Sequence, residues 1–325
     1  MKGPMGADER LIETWDGKDY ERHSSHQRKW GGGLIEELSL RGDERVLDLG
    51  CGDGTLTRSL ADRVPRGVVL GVDAAPGMLE TARTKCGPNM SVRLLDLNAL
   101  AFDGEFDVIF SNATLHWIHD HAPLLAHIHR ALAPGGILRA QFGGDGNCPN
   151  LIECVRRQMA IPPFAQALAG FRWPWFFPGV SEYEELLLIS SFHEWRAWIE
   201  PKEQGFPTAE AIVGWIDNPA LIPFVQALPA DLRNPFRGET HLAADQHIGA
   251  KLAQDGADVH LGLSLPVERG GVEVGDAQLD GAGDGPPHRR IFAAHQQPSD
   301  HPAAETESGD FQAGPTQALV VHGAS

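Results

Sequence analysis

Short apolar runs alternate with amphipathic stretches through the first half of the chain. Val46 to Leu49 is an apolar run of strand length, and "TLTRSLADRV" after it places Leu56, Leu60 and Val64 on one helical face. "GVVLGVD", Gly67 to Asp73, is apolar throughout, as a strand buried on both faces should be. "APGMLETARTKC" carries a proline near its start and apolar Met78, Leu79 and Ala82, which predicts a second helix. Further strands are predicted at "MSVRLLDL", "FDVIFSN" and "ILRAQF". Between the last two, "DHAPLLAHIHRALAPGG" reads as a helix capped by Asp120 and stopped by Pro134 and Gly135. The alternation predicts an α/β fold, doubly wound, with a mostly parallel sheet and helices on both faces.

The pattern changes after Gly143. Asn150 to Gly179 is rich in aromatics and proline, and a cap-like insertion is expected over about 144–180. Phe171, Trp173, Trp175, Phe176 and Phe177 would either cover an apolar acceptor or pack as a small core of their own. "SEYEELLLISSF" predicts a helix capped by Ser181, "EWRAWIEP" alternates like a strand, and "TAEAIVGWIDNPALIPFVQAL" predicts one or two short helices.

A second change comes at about Glu239. From there on the chain has thirteen acidic and four basic residues and no Trp or Tyr, so it can bury little apolar area. The expected organisation is therefore a domain over 1–238 and a low-complexity, disordered or frame-shifted tail over 239–325. "DVHLGLSLPV" is the exception, with Val259, Leu261, Leu263 and Leu265 in strand-like alternation.

Charge narrows the partners. The formal net charge of −17 argues against nucleic acid or an anionic membrane surface. No apolar run is long enough to span a bilayer, and the amino end has no signal-like core, so a cytoplasmic location is expected. Cys51, Cys86, Cys148 and Cys154 show no CxxC spacing and read as reduced, mostly buried thiols.

The chemistry concentrates in "VLDLGCGDGTLT". Gly50, Gly52 and Gly54 follow a predicted strand, as in loops that present backbone N–H groups to a ligand. The spacing departs from GxGxxG, since Thr55 stands at the last position, and no Lys-Ser/Thr pair follows as a P-loop needs. Asp48 and Asp53 would repel a pyrophosphate at close range. They suit a ligand that carries positive charge beside a nucleoside, as S-adenosylmethionine does. Asp73 ends the second strand, where an acid reaches ribose hydroxyls, and Asp96 follows the third, placed to accept an adenine amino group.

With these residues in view, the sequence resembles the class I S-adenosylmethionine-dependent methyltransferases. It is most similar to the branch that contains trans-aconitate methyltransferase and juvenile hormone acid methyltransferase. The motifs that carry the likeness are "VLDLGCGDG", "GVDAAPGML", "LLDLNAL", "DVIFSNATLHWIHDH" and, near the amino end, "YERHSSHQ". The likeness spans about Trp15 to Arg237. It implies a seven-stranded type of sheet whose last strand runs antiparallel, yet no family-like ending follows Arg237, so that strand is expected to be missing. It also implies roles by position. Gly50, Cys51 and Gly52 would let the cofactor approach the backbone. Asp48 would hold its ammonium and Asp73 its ribose. Ala74 and Met78 would lie beside the adenine, and Asp96 with the Leu97 N–H would read the adenine edge. Asn112 and Ala113 would border the methionine moiety, and Tyr20 and Gln27 would close the pocket.

The implied reaction is methyl transfer to a small molecule by a monomer or homodimer, with O-methylation of an organic-acid carboxylate favoured. A carrier-bound acyl group, a natural-product hydroxyl and a non-catalytic cofactor-binding role are the alternatives. A carboxylate acceptor needs no general base, only positive groups such as Arg172 or Arg196 to hold it. A hydroxyl or amine acceptor would need one, and His116 is the candidate. Five histidines fall between His116 and His129, but His127 and His129 face different sides of a helix and HExxH spacing is absent, so no metal is expected.

Overall fold

The apolar runs form a sheet in the order β3-β2-β1-β4-β5-β7-β6 in a computed structural model that describes residues 15–202, 213–241 and 316–324. β1 (Arg45–Leu49), β2 (Val68–Asp73), β3 (Met90–Leu94), β4 (Phe106–Asn112) and β5 (Leu132–Gly143) are parallel. β1 is central, with Asp48 opposite Gly71 on one side and Phe110 on the other.

Side-chain alternation divides the core between the two faces of the sheet. Val46, Val108 and Phe110 pack with Leu34, Ile35 and Leu60, from α2 (Ser25–Glu36) and α3 (Thr55–Arg63), which follow α1 (Gly17–His23). Leu47, Leu49 and Ile109 pack on the opposite face. Their partners include Leu124, Ile128, Tyr183 and Leu187. The covering helices on that side are α5 (His121–Ala131) and α7 (Val180–Leu188), while α4 (Pro76–Arg83) and α6 (Pro149–Met159) complete the series to that point. A separate apolar cluster joins Val155, Phe164, Leu168 and Trp175 to Phe224 of α8 (Ile222–Ala227) and to Phe236, so the insertion has a core of its own.

Several boundaries differ from the sequence reading. β5 begins at Leu132 rather than Ile137, because Pro134 disfavours a helical residue before it and Leu132 pairs with Phe106 before the register shifts. α7 is entered from Gly179, with Ser181 inside its first turn. Asp120 occupies the cap position of α5 but makes no capping hydrogen bond with its side chain. Cys51 and Cys154 are buried, and Cys86 is exposed.

The sheet corrects the expectation of a missing strand. β7 (Thr316–Ala324) lies between β5 and β6 (Glu194–Lys202), antiparallel to both, with Gln141 and Trp198 opposite Val320. Without it both neighbours would carry unpaired backbone groups along the edges it fills. The sequence reading sets a boundary at Glu239. A helix over 230–241 crosses it, Thr240 is buried and donates to the Phe236 carbonyl at 2.7 Å, and Gln158 donates to Glu239 at 2.5 Å. "DVHLGLSLPV" lies outside the described residues.

Amide hydrogen exchange checks the inserted strand. Leu319 to Val321 should exchange at least about a hundredfold more slowly than a free peptide, and deletion of 316–325 should expose the amides of Ala197 to Ile199. Fast exchange at Leu319 to Val321 in the intact chain would contradict the pairing.

Candidate active site

The turn after β1 brings three carboxylates together at the carboxyl ends of the parallel strands, where open α/β sheets take their ligands. Asp48 is 2% exposed and accepts a hydrogen bond from Thr57 Oγ1 at 2.6 Å. Asp73 accepts from the Gly52 N–H at 2.9 Å and the Ala75 N–H at 2.8 Å, so one carboxylate shapes both turns. Asp53 accepts from Thr55 and pairs with Lys85 Nζ at 3.0 Å. Among the described residues no cation pairs with Asp48 or Asp73. Burial pushes the Asp48 carboxyl up to about 7, with the charges of Asp73 and Asp53 adding to the rise and the Thr57 hydrogen bond opposing it. Burial also raises Asp73, against its backbone hydrogen bonds.

Two glycines explain the close approach. Gly50 has φ +71°, and a Cβ there would lie 2.1 Å from Thr114 Cγ2. Gly52 has φ +52°, and a Cβ there would meet only Tyr20 Cε1 at 3.9 Å, so the space above its backbone is open. Cys51 between them is buried, and its N–H donates to the Val72 carbonyl at 2.9 Å.

The remaining residues expected of this site fall along the same edge. Ala74 follows Asp73, and Met78 of α4 and Leu97 are buried. Asp96 is exposed and caps its own turn, accepting from Asn98 N and Nδ2 at 2.9 Å each. Tyr20 lies over Gly52, edge-on to Trp15, which in turn meets Trp117 at 5.5 Å. Burial and then the charges of Asp53 and Asp73 push the Tyr20 phenol well above its ordinary range, so it stays a donor. Asn112 Nδ2 donates to the Gln27 carbonyl at 3.1 Å, tying α2 to β4. Gln27 Oε1 is buried without a partner. Ala113 has φ +55°, uncommon for a residue with a side chain, and its N–H donates to Gln141 O at 2.7 Å. Gln141 itself, whose Nε2 donates to Asn112 Oδ1 at 3.3 Å, is missing from the sequence reading. The signal was a polar residue inside the apolar run of β5.

Beside this turn opens a second cavity, with Gln27, Ala113, His116, Gln141, Trp175 and Phe177 in its wall. The aromatic insertion packs as a core and also reaches a cavity: Phe171 and Trp173 pack against Phe224, while Trp175 and Phe177 line the cavity. His116 Nδ1 accepts the Gly143 N–H at 3.2 Å, so the ring carries its proton on Nε2. Burial lowers its pKa to about 3. A ring held this way is set to donate from Nε2 rather than to take up a proton there. Arg172 and Arg196 are exposed and outside the cavity wall, and Arg196 lies over Trp198, which corrects their candidacy as acceptor ligands. His119 and His121 are held by Trp173 O, Leu115 O and Tyr183 Oη, and no metal-holding cluster occurs among the described residues.

A family model described as "Methyltransferase domain" matches residues 46–136. The trans-aconitate 2-methyltransferase of Azoarcus sp. (strain BH72) is 34% identical over 221 residues, covering 68% of this chain and 85% of that protein. The enzyme of the same name from Variovorax paradoxus (strain S110) is 32% identical, covering 71% and 89%. The chain belongs to the class I S-adenosylmethionine-dependent methyltransferases. Among solved structures, the YcgJ protein of Bacillus subtilis aligns with a TM-score of 0.50 at 15% identity, over 92% of this chain and 98% of that one, a likeness of fold. The two trans-aconitate 2-methyltransferases act on a small molecule, and the chain is an S-adenosylmethionine-dependent methyltransferase of the small-molecule kind. No helix among the described residues is long and apolar enough to cross a membrane.

The residues present fit S-adenosylmethionine. Buried Asp48 and half-buried Asp73, with no described cation paired to either, and the unpartnered Gln27 Oε1 are an acceptor set for a cationic ligand with hydroxyl groups. The open space over Gly52 admits it. Burial of Asp48 also has a cost that depends on pH. Between about 4, the ordinary value, and about 7, the folded chain keeps a proton that the unfolded chain has lost, so this group's contribution lowers stability as pH rises through that window. Asp48→Asn should therefore stabilise the cofactor-free protein at pH 8, on the order of 1–3 kcal/mol, and change little at pH 4. Urea unfolding at both pH values checks this, and equal shifts at the two would contradict it.

Proposed function

We propose that the enzyme transfers a methyl group to a carboxylate oxygen of a small organic acid. The observation that carries this is the tautomer of His116. Its Nδ1 is filled by the Gly143 N–H and its Nε2 already bears a proton, so the cavity offers a donor where a hydroxyl or amine acceptor would need a base. A carboxylate is a nucleophile without one, and a donor at His116 Nε2 can hold its second oxygen. The names of the relatives support a carboxylic acid as well.

In this reading Asp48 and Gln27 Oε1 receive the ammonium of the cofactor, and Asp73 the ribose hydroxyls. Ala74 and Met78 flank the adenine, whose edge is read by Asp96 and the Leu97 N–H. The backbone of Gly50, Cys51 and Gly52 approaches from below. Asn112 and Ala113 border the methionine moiety, and Tyr20 closes over it. When bound, the cofactor supplies an electrophilic methyl group on a sulfonium. An acceptor carboxylate held at His116 Nε2–H would take that methyl group, with the bonding pair of the carbon–sulfur bond left on sulfur. The protein aligns the two in line and keeps water out, with Trp15, Trp117, Trp175 and Phe177 as apolar walls.

Two measurements test this. Asp73→Ala should weaken S-adenosylmethionine binding in calorimetry by about 2–3 kcal/mol, and unchanged affinity would reject its role. The single-turnover rate of methyl transfer at saturating substrates should be flat between about pH 6 and pH 9. A rate that climbs tenfold per pH unit would reveal a base and favour a hydroxyl or amine acceptor.

A further inference from the structure

Among the described residues, the wall of the acceptor cavity holds no cationic side chain, neither Arg nor Lys. It contains two histidines, and each has a ring nitrogen filled by an N–H donor. Gly143 N–H occupies His116 Nδ1 at 3.2 Å, and Trp215 Nε1–H occupies His26 Nε2 at 3.0 Å. A nitrogen that accepts such a bond cannot take a proton without losing it, so both rings stay neutral. Arg139, the buried guanidinium of β5, is spent elsewhere: it pairs with Glu37 and lies 4.9 Å over the Trp198 ring.

The rest of the wall is apolar and flat-sided. Trp30, Trp117, Trp175, Phe177 and Trp215 contribute rings, and Leu151 and Ile152 close the side toward α6. A separate opening is edged by Asp16, Asp19, Asp217 and Arg237, where Asp19 pairs with Arg22 and Asp217 lies 3.8 Å from Arg237. A second or third carboxylate carried into the acceptor cavity would leave water without meeting a counter-charge, which is a heavy cost. A single carboxylate needs only the donors already present.

We propose that the acceptor is an acid with one carboxylate and an aromatic or otherwise apolar body, and that di- and tricarboxylates are discriminated against. This rests on the carboxylate-methylation reading above and narrows it. It also separates this enzyme from relatives whose printed substrate, trans-aconitate, carries three carboxylates.

The test is a panel of acceptors offered to the full-length enzyme with labelled S-adenosylmethionine: trans-cinnamate, phenylacetate and octanoate against trans-aconitate and fumarate, with benzyl alcohol and benzylamine as non-acids. At least one monocarboxylate should exceed both polyacids by about tenfold or more in kcat/KM, with the methyl ester identified by mass. Preference for trans-aconitate or fumarate would overturn this proposal and leave carboxylate methylation standing. Methylation confined to the alcohol or amine would overturn both. Quenching of tryptophan fluorescence, in enzyme saturated with S-adenosylhomocysteine, gives the same ranking without turnover: tighter binding of monocarboxylates supports the proposal, and tighter binding of polyacids, or no difference, overturns it. Ile152→Lys, which adds a cation to the wall, should narrow the ratio toward the dicarboxylate, and an unmoved ratio would contradict the electrostatic cause.

Discussion

A buried carboxylate, Asp48, and a half-buried one, Asp73, stand at the ends of adjacent parallel strands, and much of the active site is arranged around them. Asp48 keeps only the Thr57 hydroxyl as a partner, and Asp73 is bound to the backbone at both oxygens. Neither has a cation among the described residues. Such a pair is costly in a folded protein unless a ligand brings the missing charge. The glycine turn, with Gly50 and Gly52 at positive φ and Tyr20 the nearest ring above Gly52, leaves open the space in which we place that ligand. The phosphate cradle that the glycines suggest is thus turned into its electrostatic opposite.

The acceptor side follows a different rule. Its polar groups are fixed by backbone and ring N–H donors rather than by charge, and its walls are tryptophan and phenylalanine. Positioning, not proton transfer, is what such a cavity offers, which suits a nucleophile that arrives already ionised. The apolar cluster around Phe224 and Phe236 anchors these walls, so the cap does two jobs with one set of rings.

The parts legible in the sequence were the local ones. The strand, glycine turn and helix from Val46 to Arg63 occupy one stretch, and their residue types report their geometry directly. The spacing to Asp73 reported the second acid for the same reason. β7 was missed because its pairing with β5 and β6 comes from far along the chain, and "QALVV" in a Gly- and Ala-rich segment carries little signal by itself. The donor role of His116 was hidden because its tautomer is set by the Gly143 N–H across the sheet edge. Arg172 and Arg196 looked useful by charge alone, and only the fold shows them turned away from the cavity. Gln141, a lone polar residue in a buried strand, could have been read and was not.

Proton release on cofactor binding tests the central claim most directly. The Asp48 carboxyl is held up near 7 by burial, so a cationic ligand that seats beside it must displace its proton. Calorimetry of S-adenosylmethionine binding at pH 6, in buffers of different ionisation enthalpy, should show release of close to about one proton per protein chain, and Asp48→Asn should abolish it. Tight binding at pH 6 with no proton released would contradict the account.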